Sequence, residues 1–356
     1  MKIHDNWKIQ HFDVGTTRDL EIASPEYIDY FWMTTKVPGD VHSTLIDRNI
    51  IEDPFFGHND KKCQWVEEKV WWYRTTFDFN EELEQGEKME LTFTGLDTYA
   101  TVYLNGVELG STENMFISHT FEVTREVKQG KNVLAVKFDP VDVHVGEKIK
   151  YYWSGFSKHR IWTRKAQSHF GWDWGPRLVA VGIWQDVYLE KKKHAKIEHV
   201  FARTTAIDDQ QATIAIDVDV KKFNRKKDYR ADVSLHFAGE EVSNEVVSLQ
   251  GKRAQVILKV NNPKLWWTHD LGEPHLYDLT VSLSADGNEI DTTNEKIGIR
   301  TIEVRQVKQT GEPSFTFILN GKEVFAKGAN WIPIDSFFGA TPDARYRHLI
   351  QMSKDA

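Results

Sequence analysis

Apolar and polar residues alternate with a period of two along most of this chain, the signature of half-buried β-strands. Leu91-Thr92-Phe93-Thr94 and Thr101 to Val107 carry the pattern, and Asn105-Gly106 marks a tight hairpin because both residues tolerate positive φ. The spacing predicts further strands over 132–138 and 183–189, with a helical turn at 43–48. Strands at this interval, with no helical period between them, imply an antiparallel sandwich or jelly roll over residues 1–193.

Lys191-Lys192-Lys193-His194 reads as a solvated linker at a domain boundary. Beyond it the alternation sharpens. Ala212, Ile214, Ile216, Val218 and Val220 face one way, with Thr213, Asp217 and Asp219 opposite. The segments 230–237, 255–260, 277–283 and 296–304 repeat the theme, and the basic stretch 221–227 fits a turn. About seven strands in about 100 residues predict an immunoglobulin-like sandwich over 194–302, without the inter-sheet disulfide of antibodies.

From residue 303 the character changes. Asn320-Gly321 signals another hairpin, and Val324 to Asn330 reads as a short buried strand. Thr341-Pro342-Asp343 gives Thr at the N-cap, Pro at the first helical position and an acid in the first turn, so 345–354 reads as helix. A strand then a helix opens a repeating β/α unit, but only 54 residues follow Ile302, against about 250 for a complete eight-fold barrel. The expectation is an incomplete barrel start over 303–356, in a chain that stops inside its helix. An unpaired first strand could also meet a second copy, which leaves a homodimer open.

The net charge of -8 and pI of about 6.0 disfavour nucleic acid as a partner. No apolar run of 18 residues suggests a membrane span, and Met1 to Gln10 lacks the features of a secretory signal. One cysteine, Cys63, excludes an internal disulfide and fits a cytoplasmic setting. The 14 histidines form no metal-binding pattern and no Gly-rich phosphate loop appears, so neither metal nor cofactor is expected. Eight of the 13 tryptophans lie between Trp65 and Trp184, which suits either a wide sandwich core or indole faces stacked on a pyranose.

Particular motifs carry a resemblance. Val37-Pro38-Gly39-Asp40-Val41-His42, Asp53-Pro54-Phe55-Phe56-Gly57, Trp71-Trp72-Tyr73-Arg74 and Gly95-Leu96-Asp97-Thr98-Tyr99-Ala100 resemble the opening domain of the β-mannosidases of glycoside hydrolase family 2. So, more specifically, does Phe170-Gly171-Trp172-Asp173-Trp174-Gly175-Pro176-Arg177. Gly182-Ile183-Trp184-Gln185-Asp186-Val187 is similar to the wider family, β-galactosidases and β-glucuronidases included. Pro263 to Trp267 and Pro274 to Tyr277 resemble its middle sandwich, and Leu319-Asn320-Gly321 through Lys327-Gly328-Ala329-Asn330-Trp331-Ile332-Pro333 resembles the opening of its barrel.

The resemblance implies a mainly β architecture: a galactose-binding-like jelly roll, an immunoglobulin-like sandwich, then the start of a (β/α)8 barrel. It also implies retaining, exo-acting hydrolysis of terminal β-mannose, with two carboxyls about 5 Å apart on later barrel strands. No catalytic residue is then expected in this chain. The substrate would be a β-mannoside or related oligosaccharide. By resemblance the Trp172-Asp173-Trp174 loop lines the pocket for the terminal sugar. Asp173 would accept bonds from two hydroxyls, with indoles excluding water. The bland alternative is a structural turn in which Asp173 caps backbone N–H groups. Arg177 either orients Asp173 or pairs with another acid. Asn330 and Trp331 would lie at the end of the first barrel strand, with plain core the alternative for Trp331. Another family 2 glycosidase, or a stand-alone carbohydrate-binding module, remains the competing function.

Overall fold

The computed structural model describes residues 1–151, 157–208, 210–308 and 310–356. Two compact units emerge. The first comprises Met1–Leu83, Met89–Lys191 and Trp331–Ala356; the second comprises Glu84–Lys88 and Lys192–Asn330. Residues 303–356 thus divide between the two units instead of forming a third.

The first unit is a jelly-roll sandwich. Its six-stranded antiparallel sheet runs Met33–Thr34, Lys8–Phe12, Val70–Phe79, Gly130–Phe138, Ala100–Leu104 and Val107–Thr112. Across the core lie Val187–Lys193, Glu87–Phe93 and His119–Glu122, with a short pair formed by Gly182–Ile183 and Leu96–Asp97. The central strand Val70–Phe79 is buried on both faces, so its apolar run is nearly continuous. Trp71 and Tyr73 enter the main core, while Trp72 stacks on Tyr103 (ring centroids 5.6 Å) in a second, smaller core. The predicted Asn105-Gly106 hairpin forms, with Leu104 opposite Val107 and positive φ at both turn residues. The predicted turn at 43–48 is the helix Val41–Asp47, which Asp40 caps by accepting from Ser43 N at 2.8 Å. The strand expected over 183–189 is two pieces, Gly182–Ile183 and Val187–Lys193.

The second unit holds an immunoglobulin-like sandwich of seven strands in two sheets, followed by a three-stranded antiparallel sheet of Ile302–Val307, Pro313–Leu319 and Lys322–Val324. One sheet holds Ala195–Ile207, Gln211–Lys222 and Arg253–Asn261; the other holds Glu240–Ser248, Tyr229–Phe237, Tyr277–Ala285 and Asn288–Ile297. Ile214, Ile216, Val218, Val233, Leu235, Val281 and Leu283 meet in its core, as the alternation predicts. Glu240–Ser248 escapes the pattern because it is a largely exposed edge strand with no clean apolar face.

Four further expectations need correction. Lys191–His194 is no loose linker: Val187–Lys193 runs to within one residue of Ala195–Ile207. His194 alone turns the chain, at φ 63°, and Lys193 pairs with Glu84 at 2.7 Å. The strand predicted over 296–304 is broken, ending at Ile297 and resuming as Ile302–Val307. The buried strand expected over Val324–Asn330 does not form. After Lys322–Val324 the chain is irregular, and Phe325 is 82% exposed. A parallel barrel strand takes its hydrogen bonds and apolar cover from strands on both sides, and none lies there among the described residues. The final helix is Asp343–Asp355 with Pro342 at the N-cap; Thr341 instead donates its hydroxyl to Phe337 O at 2.9 Å.

Candidate functional site

Phe170-Gly171-Trp172-Asp173-Trp174-Gly175-Pro176-Arg177 folds as a tight hairpin. Phe170–Trp172 pairs with Gly175–Arg177, Trp172 opposite Gly175, so Asp173 and Trp174 form the turn. Gly171 sits at φ 87°, which a side chain would strain. At the tip the indoles of Trp172 and Trp174 keep 36% and 41% of their surface exposed. Asp173 is exposed and has no hydrogen-bond or ion-pair partner among the described residues. The tryptophans divide by burial. Trp7, Trp71 and Trp72 are core, whereas the hairpin pair faces solvent. Trp153 lies outside the described residues.

The hairpin rises from a rigid base. Phe170 is buried between the Arg177 guanidinium (5.5 Å to its ring centroid) and the His159 ring, which stacks on it at 6.1 Å and 8°. Arg177 pairs with Glu67, Nη2 to Oε1 at 2.9 Å, and not with Asp173; its Nη1 also donates to Ser157 Oγ at 3.2 Å. Burial pushes the Glu67 carboxyl up, and Arg177 draws it part of the way back. Gln64 Nε2 donates to Arg177 O at 2.8 Å. A small cavity of about 170 Å³ is lined in part by Glu67, Asp142, His159 and Arg177.

Directly before the hairpin, His169 enters a buried charged cluster. Lys165 Nζ meets Asp97 Oδ1 at 2.5 Å and also donates to Ala180 O; His169 Nδ1 lies 3.6 Å from Asp97 Oδ2. Burial drives the pKa values of Lys165 and His169 down. Nearby Asp40 is buried with its pKa raised to about 6, and His42 is buried with its pKa lowered to about 3. The segment after Trp331 caps this region: Phe337 stacks on His42 at 5.3 Å and Phe338 lies on His169 at 4.8 Å. Asp40 and Asp97 are both buried, 3% and 2% exposed.

The other sequence candidates are less structured. Asn330 ends the second unit, exposed; Trp331 is 52% exposed and stands on no strand. A cleft of about 850 Å³ adjoins the buried cluster, lined by residues such as Thr34, Lys36, Asp40, Ser43, Arg48 and Gly339, with no aromatic side chain in its wall. Glu67, Ser157, His159 and Arg160 escaped sequence reasoning because their contacts with the hairpin are tertiary; Glu67 and Arg177 are 110 residues apart.

The chain matches the galactose-binding domain-like model of glycosyl hydrolase 2 over residues 7–185, and the glycosyl hydrolases family 2 model over 195–300. It belongs to glycosyl hydrolase family 2. Among family 2 relatives, β-mannosidase B of Aspergillus flavus is 36% identical over 344 residues, which cover 94% of this chain and 40% of that protein. β-Mannosidase B of Aspergillus terreus is 37% identical over 330 residues, covering 90% of this chain and 39% of that one. The crystal structure of β-D-mannosidase from Dictyoglomus thermophilum superposes with a TM-score of 0.86 at 33% identity, over 99% of this chain and 42% of that one. An exo-chitosanase from Amycolatopsis orientalis shares the fold, with a TM-score of 0.73 at 21% identity over 97% of this chain and 38% of that one. The chain spans about two fifths of the length of the β-mannosidases it matches.

Proposed function

We propose that this chain is the N-terminal, non-catalytic part of a retaining exo-β-mannosidase, whose hairpin completes the pocket for a terminal, non-reducing β-mannose. One observation carries the reading: a hairpin clamped at its base presents an unpartnered carboxylate between two half-exposed indoles. Such a tip can accept two charge-assisted hydrogen bonds from neighbouring hydroxyls while the rings exclude water. The named relatives support mannoside as the sugar. On this reading 303–356 leads into the catalytic barrel, Asn330 and Trp331 face the sugar once the barrel closes, and both reacting carboxyls lie on strands beyond residue 356. A buried, unpaired Cys63 supports a cytoplasmic setting. No helix among the described residues is long and apolar enough to cross a membrane.

The test is Asp173→Ala in the full-length protein. Losing a carboxylate that holds two hydroxyls costs about 2–5 kcal/mol, or roughly 30- to 5000-fold in kcat/KM on an aryl β-mannoside. Asp173→Asn keeps one acceptor and should lose less. Because Asp173 is exposed and has no hydrogen-bond or ion-pair partner among the described residues, the melting temperature should hold. A stable Asp173→Ala enzyme with near-normal kcat/KM removes Asp173 from the sugar site.

A further inference from the structure

The hairpin's orientation depends on a short stretch that no motif marks. Residues 157–160 touch it at three points. Ser157 Oγ accepts from Arg177 Nη1 at 3.2 Å, the His159 ring lies parallel to Phe170, and the Arg160 guanidinium covers the Trp172 indole at 4.5 Å. The stretch is itself held from outside. His159 Nε2 meets Asp142 Oδ1 at 2.5 Å, and its Nδ1 lies 3.1 Å from Ser157 Oγ. Thr163 Oγ1 donates to His159 O at 3.2 Å and Gln167 Nε2 donates to Arg160 O at 2.7 Å.

In the neutral ring with Asp142 accepting from Nε2–H, the His159 Nδ1 is the acceptor and takes the Ser157 hydroxyl proton, leaving the Ser157 lone pairs for Arg177. Serine, histidine and aspartate here superficially suggest a nucleophilic relay, but Ser157 is buried and its oxygen already accepts from Arg177. Every contact points instead to support: the base of the hairpin is gripped through Phe170 and Arg177, and its tip through Trp172.

We propose that residues 157–160 brace the sugar hairpin, with Arg160 a positioning residue that sets the plane of Trp172. The consequence for substrate rests on the mannose reading above; the brace itself does not. A guanidinium over an indole fixes the ring by a cation–π contact. Without it the ring can rotate about its side-chain torsions, and the sugar meets a surface that must be reordered on binding.

The experiment uses Arg160→Gln and Arg160→Lys. Hydrogen exchange on the 356-residue chain reads the brace directly: Arg160→Gln should speed exchange at the Trp172 to Gly175 amides, leave the Ile214 strand unchanged, and be partly rescued by Arg160→Lys. Unchanged exchange in Arg160→Gln overturns the proposal, as does equal loosening by Gln and Lys. In the full-length enzyme, Arg160→Gln should raise KM for an aryl β-mannoside by about 3- to 30-fold with kcat less affected, since Trp172 contacts ground and transition states alike. Trp172→Ala is assayed beside it. If Trp172→Ala leaves KM unchanged, the mannose reading of the hairpin fails, while the exchange result still decides the brace. If Trp172→Ala raises KM and Arg160→Gln does not, the positioning role fails alone.

Discussion

His42→Phe should make the first unit less sensitive to acid. His42 is buried on the helix Val41–Asp47, its ring stacked on Phe337 at 5.3 Å and 22°, and its Nδ1 has no hydrogen-bond partner among the described residues. Burial, and to a lesser degree the Lys165 charge, lowers its pKa from 6.5 to about 3. The sign follows from proton uptake. Between 6.5 and about 3 the unfolded chain binds a proton that the folded chain refuses, so stability is complete above 6.5 and is lost as pH falls. At pH 5 the unfolded imidazole is protonated roughly thirtyfold over neutral, a loss of about 2 kcal/mol from this group. Asp40 acts in the opposite sense: its folded pKa of about 6 lets it take up a proton before the unfolded carboxyl does, which stabilises on acidification. The Asp40 term is common to both proteins and cancels in the comparison; the loss from His169 is set mainly by burial and Lys165, which the substitution leaves in place, and only in lesser part by His42. Phenylalanine keeps the ring stack and cannot titrate. Tryptophan fluorescence is the suitable probe, because 11 of the 13 tryptophans lie in the first unit. Between pH 7.5 and pH 5 the melting temperature of His42→Phe should fall by about 4–8 °C less than that of the parent chain. An equal fall in both refutes the argument, since His42 would then not be the group whose protonation unfolds this unit.

Two further outcomes concern the same region. Asp97→Ala leaves the Lys165 ammonium buried without its partner at 2.5 Å, and should cost about 3–5 kcal/mol in urea unfolding of the first unit; a cost under about 1 kcal/mol would mean that the pair is dispensable. At Gly339 an added Cβ would sit 2.9 Å from Gly39 O and 3.0 Å from the Trp184 Cα, backbone atoms that cannot yield. Gly339→Ala should therefore unseat Phe337 and Phe338 and speed amide exchange at Ala340 and Thr341 by about 5- to 100-fold; unchanged exchange would show that the seat tolerates a methyl group.

Much of the architecture was legible because strand burial writes itself into a period of two. Ile214, Ile216 and Val218 alternate with polar residues and fill the second core; Asn105-Gly106 and Asn320-Gly321 each close a hairpin. The misreadings arose where neighbours, not local pattern, decide the outcome. The reading of Val324–Asn330 as a buried strand rested on composition, but beyond Val324 no strand lies beside it among the described residues, so it stays irregular and Phe325 is exposed. Four basic and polar residues at 191–194 looked like solvent-loving linker, yet strand pairing on either side leaves only His194 to turn.

The candidate site divides along the same line. The sequence by itself marked a loop punctuated by glycine and proline and set an acid between two tryptophans at its tip; its resemblance to the β-mannosidases is what suggested a sugar there. Only the tertiary structure decided that Trp172 and Trp174 point to solvent while Trp71 and Trp72 do not, and that Arg177 serves Glu67. Local propensity acts over a few residues and is written in their order. Burial and ion pairing depend on which distant segments arrive at the same place, and Glu67, Asp142, His159 and Arg177 come from four separate segments that only the tertiary fold brings together.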